Sequence, residues 1–433
     1  IFVWVGNWTD SVFCSQVGLV PYVSTVHDRL TVEIRRGCTR GCRFCQPGML
    51  TRPARDVPPE KVVEAVEKGM RETGEYFYLS FFYFRHVWAI RLTRSVLFTG
   101  YNEFSLLSLS CSDYLALPSV GLEIKNRLKD ENVTLSLPSQ RIDRFDDSIA
   151  DILGGAGKAG LTFAPEAGTQ RLRDIVNKGL TNDELLHGVR TAYDRGWRNV
   201  KLYFMIGLPG ETDADVLGIA ETVDWLQKTV AGNKERKRDR LILTLTLSNF
   251  TPKPHTPFQW HSVSTEEFAR RGALLKEALG KVPNVKSNWT SIRISAMEDF
   301  IGRGDRSLCD VVKRSWELGA HKATWWDGAD SSFRSFDRAI EEAGLTWKYR
   351  QVVSGEWDVM EKLGDGEYRG QGGGGKGRVD RGALADERLD APLPWDHIDT
   401  GIAKWWLKAD LQKALEGITV PDCSHSGICT ECG

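Results

Sequence analysis

LTVEIRRGCTRGCRFC, residues 30–45, decides the fold. The alternating run LTVEIRR (30–36) reads as a β-strand. Three cysteines follow it at C-x3-C-x2-C spacing, Cys38, Cys42 and Cys45. A strand that hands its reactive residues to the loop at its C-terminal end is the arrangement of parallel β/α sheets, whose sites lie at that edge.

Downstream the same unit repeats. A helix is expected over PPEKVVEAVEKGMRETG (58–74), behind Pro58 and Pro59. Strand-like runs follow at EFSLLSLS (103–110), VTLSLPS (133–139), GLTFAPE (160–166), NVKLYFMIGLPGE (199–211) and LILTLTLSNFTPKP (241–254). Each is short, mostly apolar, expected to be buried on both faces, and ends in Ser, Pro, Gly or Glu. Amphipathic helical stretches separate them. With LTVEIRR this makes six β units, so the expected fold is α/β, a partial (β/α)6 TIM-like barrel with a C-terminal appendage. The expected organisation is an N-terminal remnant or linker (1–28), a core (29–260), a C-terminal α/β or helical appendage (261–360), a Gly- and charge-rich linker (361–393), and a helix with a Cys-rich tail (394–433).

The core carries an interruption at 76–100. The block lies between two Thr-Gly pairs, and FYLSFFYFRHVW is unlike its surroundings. It reads as an unspliced intron translated in frame, with a lineage-specific insertion as the alternative. Its length invites a membrane reading, but Arg85, His86, Arg91 and Arg94 sit inside it, so no membrane span is expected.

Composition narrows the setting. The 57 basic and 58 acidic residues nearly cancel, so net charge announces no polyanion surface. An odd count of nine cysteines outside any small-domain pattern suits metal-bound thiolates in an intracellular, reducing compartment, cytoplasm or plastid. IFVWVGNWTD carries no signal or transit pattern.

The cysteine loop has three readings. Structural zinc needs four ligands, and no second knuckle is close in sequence. A redox C-x2-C leaves Cys38 unexplained. Three thiolates on a tight loop suit an iron–sulfur cube, one iron per cysteine, with the fourth iron open to a ligand that is not protein. Arg36, Arg40 and Arg43 are expected to offset the negative charge.

With Phe44 just before the third cysteine and a β/α scaffold behind, the loop resembles that of the radical S-adenosylmethionine (SAM) superfamily. The resemblance implies a [4Fe–4S] cluster and SAM, cleaved by one electron from a donor such as ferredoxin or flavodoxin. It assigns Ser108 and Ser110 of SLS to the SAM amino group, although the usual Gly-Gly-Glu is missing. Glu166 in FAPEAGTQRLRD is assigned to the ribose, with Arg173 beyond it. Gly207, Gly210 and Glu211 of YFMIGLPGET are assigned to the adenine side, with Met205 replacing the usual Ile. Further runs, LTFAPEAGTQRLRDIVNKG, FTPKPHTPFQW and LPWDHIDTG among them, resemble an uncharacterised family of cobalamin-binding type with an Elongator- and methylthiotransferase-like core. That family's N-terminal cobalamin domain is not readable before residue 20, which makes cobalamin a doubtful cofactor. The expected chemistry is functionalisation of a C–H bond in RNA or protein. The alternative is a non-catalytic iron–sulfur or zinc protein, a decayed relative.

Cys423, Cys429 and Cys432, with His425 and His397, are a candidate second metal site, or else a tail of idle thiols. His255 either faces substrate or bonds its own loop. Cys14, Cys111 and Cys309 read as ordinary small residues.

Overall fold

The structure is a computed structural model and describes residues 29–73, 101, 103–128, 133–137, 140–154, 160–232, 240–321, 329–347, 383–385, 387–423 and 429. The interruption at 76–100, the segments 1–28 and 361–382, Cys14, His425 and Cys432 lie outside them. In chain order the strands are β1 (Leu30–Glu33), β2 (Arg35–Arg36), β3 (Arg55–Asp56), β4 (Glu103–Leu107), β5 (Thr134–Ser136), β6 (Leu161–Glu166), β7 (Asn199–Ile206), β8 (Ile242–Asn249) and β9 (Val285–Trp289). The principal helices are α1 (Gln46–Leu50), α2 (Pro59–Thr73), α3 (Leu117–Arg127), α4 (Asp147–Ile152), α5 (Gln170–Ile175), α6 (Asn182–Asp194), α7 (Asp213–Val230), α8 (Thr265–Leu279), α9 (Ile292–Gly302), α10 (Cys309–Glu317), α11 (Ala329–Glu342) and α12 (Lys404–Leu415).

The chain divides into two units. Among the described residues the smaller holds those from 29 to 36 and from 55 to 154; the larger holds those from 37 to 54 and from 160 onward. In the smaller unit β1, β4 and β5 form a parallel sheet in that order. Leu30 and Val32 of β1, Phe104 and Leu106 of β4, and Leu135 of β5 are buried. Val62, Val66 and Met70, spaced along one face of α2, are fully buried too. Arg35 ties the short β2–β3 ladder to the loop after β4, donating to Asp56 Oδ1 and to the Asp113 carbonyl, each at 2.9 Å.

The larger unit is built on a four-stranded, wholly parallel sheet, β6-β7-β8-β9. Parallel order demands crossovers, and helices α6, α7 and α8 supply them. The α/β class and the parallel order expected from the sequence are therefore present, among the described residues in seven parallel strands of two sheets beside the β2–β3 ladder. The expectation of burial on both faces needs correcting here. Val200, Leu202, Phe204 and Ile206 are buried, whereas Lys201 and Tyr203 between them are exposed. The same alternation runs through β8, where Thr244, Thr246 and Ser248 are only half-buried. One face thus carries the apolar core and the other polar side chains.

β9 was not legible as a strand, because VKSNW lacks apolar alternation and lies half-exposed at the sheet edge. It extends the sheet past residue 260, where the sequence reading closes the core. Beyond it α9, α10 and α11 share a small core of Phe300, Leu308, Val311, Ala339 and Ile340. The expected Gly-rich linker ends earlier than 393: Ala383, Leu389 and Leu393 are buried in the same cluster as Met49, Trp260 and α12.

Gly207 ends β7 at φ +81°, a left-handed conformation. A Cβ there would stand 2.0 Å from Cε1 of the buried Phe268 ring. Gly207→Ala combines left-handed strain with overpacking, so a loss of about 2–4 kcal/mol is expected in urea unfolding.

Candidate active site

Gly37 opens the cysteine loop at φ +91°, and a side chain there would meet the Thr51 carbonyl at 2.1 Å. The loop next closes a turn, the Cys45 N–H donating to the Cys42 carbonyl at 3.0 Å. Cys45 then becomes the N-cap of α1, with Pro47 in the first turn, where its missing N–H costs nothing. A C-x2-C turn running directly into a helix keeps its thiols close in space. Cys38, Cys42 and Cys45 are all partly buried. Burial, helped by the neighbouring Cys42 and Cys38, pushes the Cys45 thiol up to about 12, while the Gly48 backbone and Lys178 pull the other way. Among the described residues no three His, Cys, Asp or Glu side chains converge as a ready single-ion site. A donor set of three thiols on one loop fits a cluster in which each thiol binds a separate iron.

The arginines expected to balance the loop are used otherwise. Arg36 belongs to the smaller unit and is paired with Glu33 at 2.6 Å. Arg40 donates to the Lys178 carbonyl at 2.7 Å. Arg43 is fully buried and grips Asp410 at 3.2 and 3.3 Å and the carbonyls of Ile175 and Ile418 at 2.7 Å. A cation whose charge acts on Cys42 and Cys45 is Lys178, which the sequence reading passed over. Burial works to discharge its ammonium, but Glu166 together with Cys42 and Cys45 holds its pKa above the ordinary lysine value.

Glu166 closes β6 at φ +70° and pairs with Lys178 at 3.1 Å. The strand register slips between Phe163 and Glu166, and the ladder resumes at Glu166, which lies opposite Phe204. Arg173 has a different position from the ligand contact assigned to it. It is fully buried, donating to the carbonyls of Ala167, Gly168 and Leu180 and to Gln170 and Asn182. Burial presses its pKa down to about 10. Arg173 therefore shapes the turn that carries Glu166 and Lys178.

Glu211 is likewise turned inward. Its Oε2 accepts from the Gly207 N–H and from Arg271, both at 2.8 Å, which locks the loop after β7. Burial raises its pKa, against the pull of Arg271. Gly210 (φ +73°) gives its carbonyl to Arg171 at 2.6 Å. Phe44 is half-buried against the core cluster that holds Met205 and Trp260. In the smaller unit, Ser108 and Ser110 are buried; the Ser108 hydroxyl accepts from the Ser110 N–H at 3.2 Å, and the Ser110 hydroxyl has no partner among the described residues.

His255 stands at φ +57° and its N–H donates to Gln259 Oε1 at 3.1 Å, an oxygen shared with Trp395 Nε1 at 2.8 Å. Two distant motifs, FTPKPHTPFQW and LPWDHIDTG, meet at that one amide. Burial lowers the His255 pKa, with Asp396 opposing, so the imidazole is neutral at pH 7. Of the tail cysteines, Cys423 is half-buried and Cys429 exposed. No helix among the described residues is long and apolar enough to cross a membrane.

The sequence has counterparts among known proteins. Residues 32–223 match the Radical SAM superfamily. An uncharacterized protein of Methanocaldococcus jannaschii is 27% identical over 66% of this chain and 54% of its own length. An uncharacterized methyltransferase of Pyrococcus horikoshii is 27% identical over 30% of this chain and 31% of its own. A further M. jannaschii protein, provisionally named a methylthiotransferase, is 26% identical over 43% of this chain and 37% of its own. The chain thus spans about half, or less, of the length of these relatives. Strand, cysteine loop and β/α repeats agree with that match, which makes residues 32–223 of this chain similar to the radical SAM superfamily.

Proposed function

We propose that Cys38, Cys42 and Cys45 hold a [4Fe–4S] cluster, that SAM binds beside it, and that the pair serves to functionalise a C–H bond of RNA or protein. When bound, these groups supply a 5′-deoxyadenosyl radical, made by one-electron cleavage of SAM with an electron from a ferredoxin or flavodoxin. The observation that carries the reading is a loop with three thiols, two of them within the electrostatic reach of the Lys178–Glu166 pair.

Each residue has a task that its position suits. Lys178 offsets the charge of the thiolates and offers an ammonium to a carboxylate. Glu166, at the end of β6 in a left-handed conformation, accepts from ribose hydroxyls. The backbone at Gly207 and Gly210 stands toward the adenine side, and Glu211 and Arg173 hold the loops that carry it. For Ser108 and Ser110 the amino-group contact stands as a separate proposal. The second metal site on Cys423, Cys429 and Cys432, and the division into domains read from the sequence, are also proposals. The relatives' names favour transfer of a methyl or methylthio group as the outcome.

The test is anaerobic reconstitution with ferrous iron and sulfide, followed by SAM and dithionite. An iron–thiolate absorption band and 5′-deoxyadenosine are expected. Lys178→Met is expected to keep its iron and to weaken SAM use by about ten- to a hundredfold, the worth of one charge-assisted contact. A chain that takes up zinc alone and yields no 5′-deoxyadenosine would sink the reading.

A further inference from the structure

The C-terminal segment reaches back to the cysteine loop through polar bonds, and it lies outside the 32–223 match. The Thr39 hydroxyl donates to Asp422 Oδ1 at 2.6 Å, and both side chains are buried. Arg43 is clamped by Asp410 and by the Ile418 carbonyl. Asn177 bridges the two segments: its Nδ2 donates to the Gly41 carbonyl at 3.0 Å, and its Oδ1 accepts the Val420 N–H at 2.8 Å. Thr39 follows Cys38, and Arg43 follows Cys42. The residue next to each of the first two thiols is therefore tied to the C-terminal segment.

A loop with glycines in the left-handed region at Gly37 and Gly41 pays a high entropy cost to be ordered. A cluster, by contrast, demands three thiolates at fixed separations. Besides the bonds from residues 174–178, the loop is held by bonds from residues 410–422, with attachments on both sides of Cys42. We propose that Asp422 and Asp410 are positioning residues for the three thiols, so that the segment from α12 to Asp422 forms the back wall of the cluster site. The inference rests on the reading of the loop as that site.

Hydrogen exchange on the iron-free full chain tests it, because the loop amides report without any metal. In Asp422→Ala the amides of residues 38–45 are expected to exchange about tenfold faster, with α6 and α7 unchanged. Asp422→Asn keeps an oxygen for the Thr39 hydroxyl and is expected to match the unaltered chain. Thr39→Val removes the same bond from the loop side and should reproduce the Ala result, even if Asp422→Ala fails to fold. After reconstitution, Asp422→Ala should surrender iron to a chelator about tenfold faster. Unchanged loop exchange in a folded variant overturns the proposal, as does an acceleration spread evenly through α6 and α7. An unaltered chain that takes no iron refutes the cluster reading instead, and the exchange comparison still decides the strap.

Discussion

Alanine at Cys38, Cys42 or Cys45 is expected to abolish iron at the loop. The unaltered chain should retain about four irons and four sulfides there after anaerobic reconstitution. Each single variant should fall to background, because a cube held at two corners has two irons open to solvent and to chelators. The effect should be all-or-none rather than graded, and 5′-deoxyadenosine should vanish with the iron. Phe44 lies between two of the thiols in sequence and is packed against the core, so its truncation should loosen the turn without this total loss. Counting iron also separates the tail. If Cys423, Cys429 and Cys432 hold a second cluster, loop variants keep its share, and a tail triple-alanine variant keeps the loop's. A loop variant that retains full iron and still cleaves SAM would refute the assignment of the three thiols.

Much of this architecture is legible before any coordinates, and the rest is hidden for definable reasons. The parallel strands show because LTFAPE and NVKLYFMI carry dense apolar runs between helical stretches. The cysteine loop shows because its spacing is local. β9 does not, because an edge strand needs little apolar surface, and VKSNW has only Val285 and Trp289 to offer. Charge shows in a sequence, but its direction does not: Arg40 and Arg43 flank the thiols, yet their donors go to Lys178, Asp410 and backbone carbonyls. Lys178 lies 133 residues or more from the thiols it meets, and only folding brings it there. Arg173 and Glu211 fall within motifs that resemble ligand contacts, and burial turns both inward. The bond between Arg43 and Asp410 crosses 367 positions, a separation at which no spacing argument operates.

That last bond carries the largest expected effect on stability. Asp410→Ala should destabilise the iron-free chain by about 3–5 kcal/mol in urea unfolding, because it strands the Arg43 guanidinium in a fully buried site. The size of the loss is a penalty for an unpaired charge, not the net worth of the pair. The double replacement Arg43→Met with Asp410→Leu separates the two. Removing both charges should recover most of the loss, since apolar substitutes for a buried pair are often neutral. Recovery should stay incomplete by about 1–3 kcal/mol, because the Ile175 and Ile418 carbonyls lose their donor. A single variant that loses less than about 1 kcal/mol would show that water reaches Arg43 and that the pair is not the clamp its burial implies. If instead the double variant regains stability while its loop amides exchange fast, the two properties part company. Folding would then need only a neutral, filled site, whereas ordering of the thiols would need the guanidinium itself.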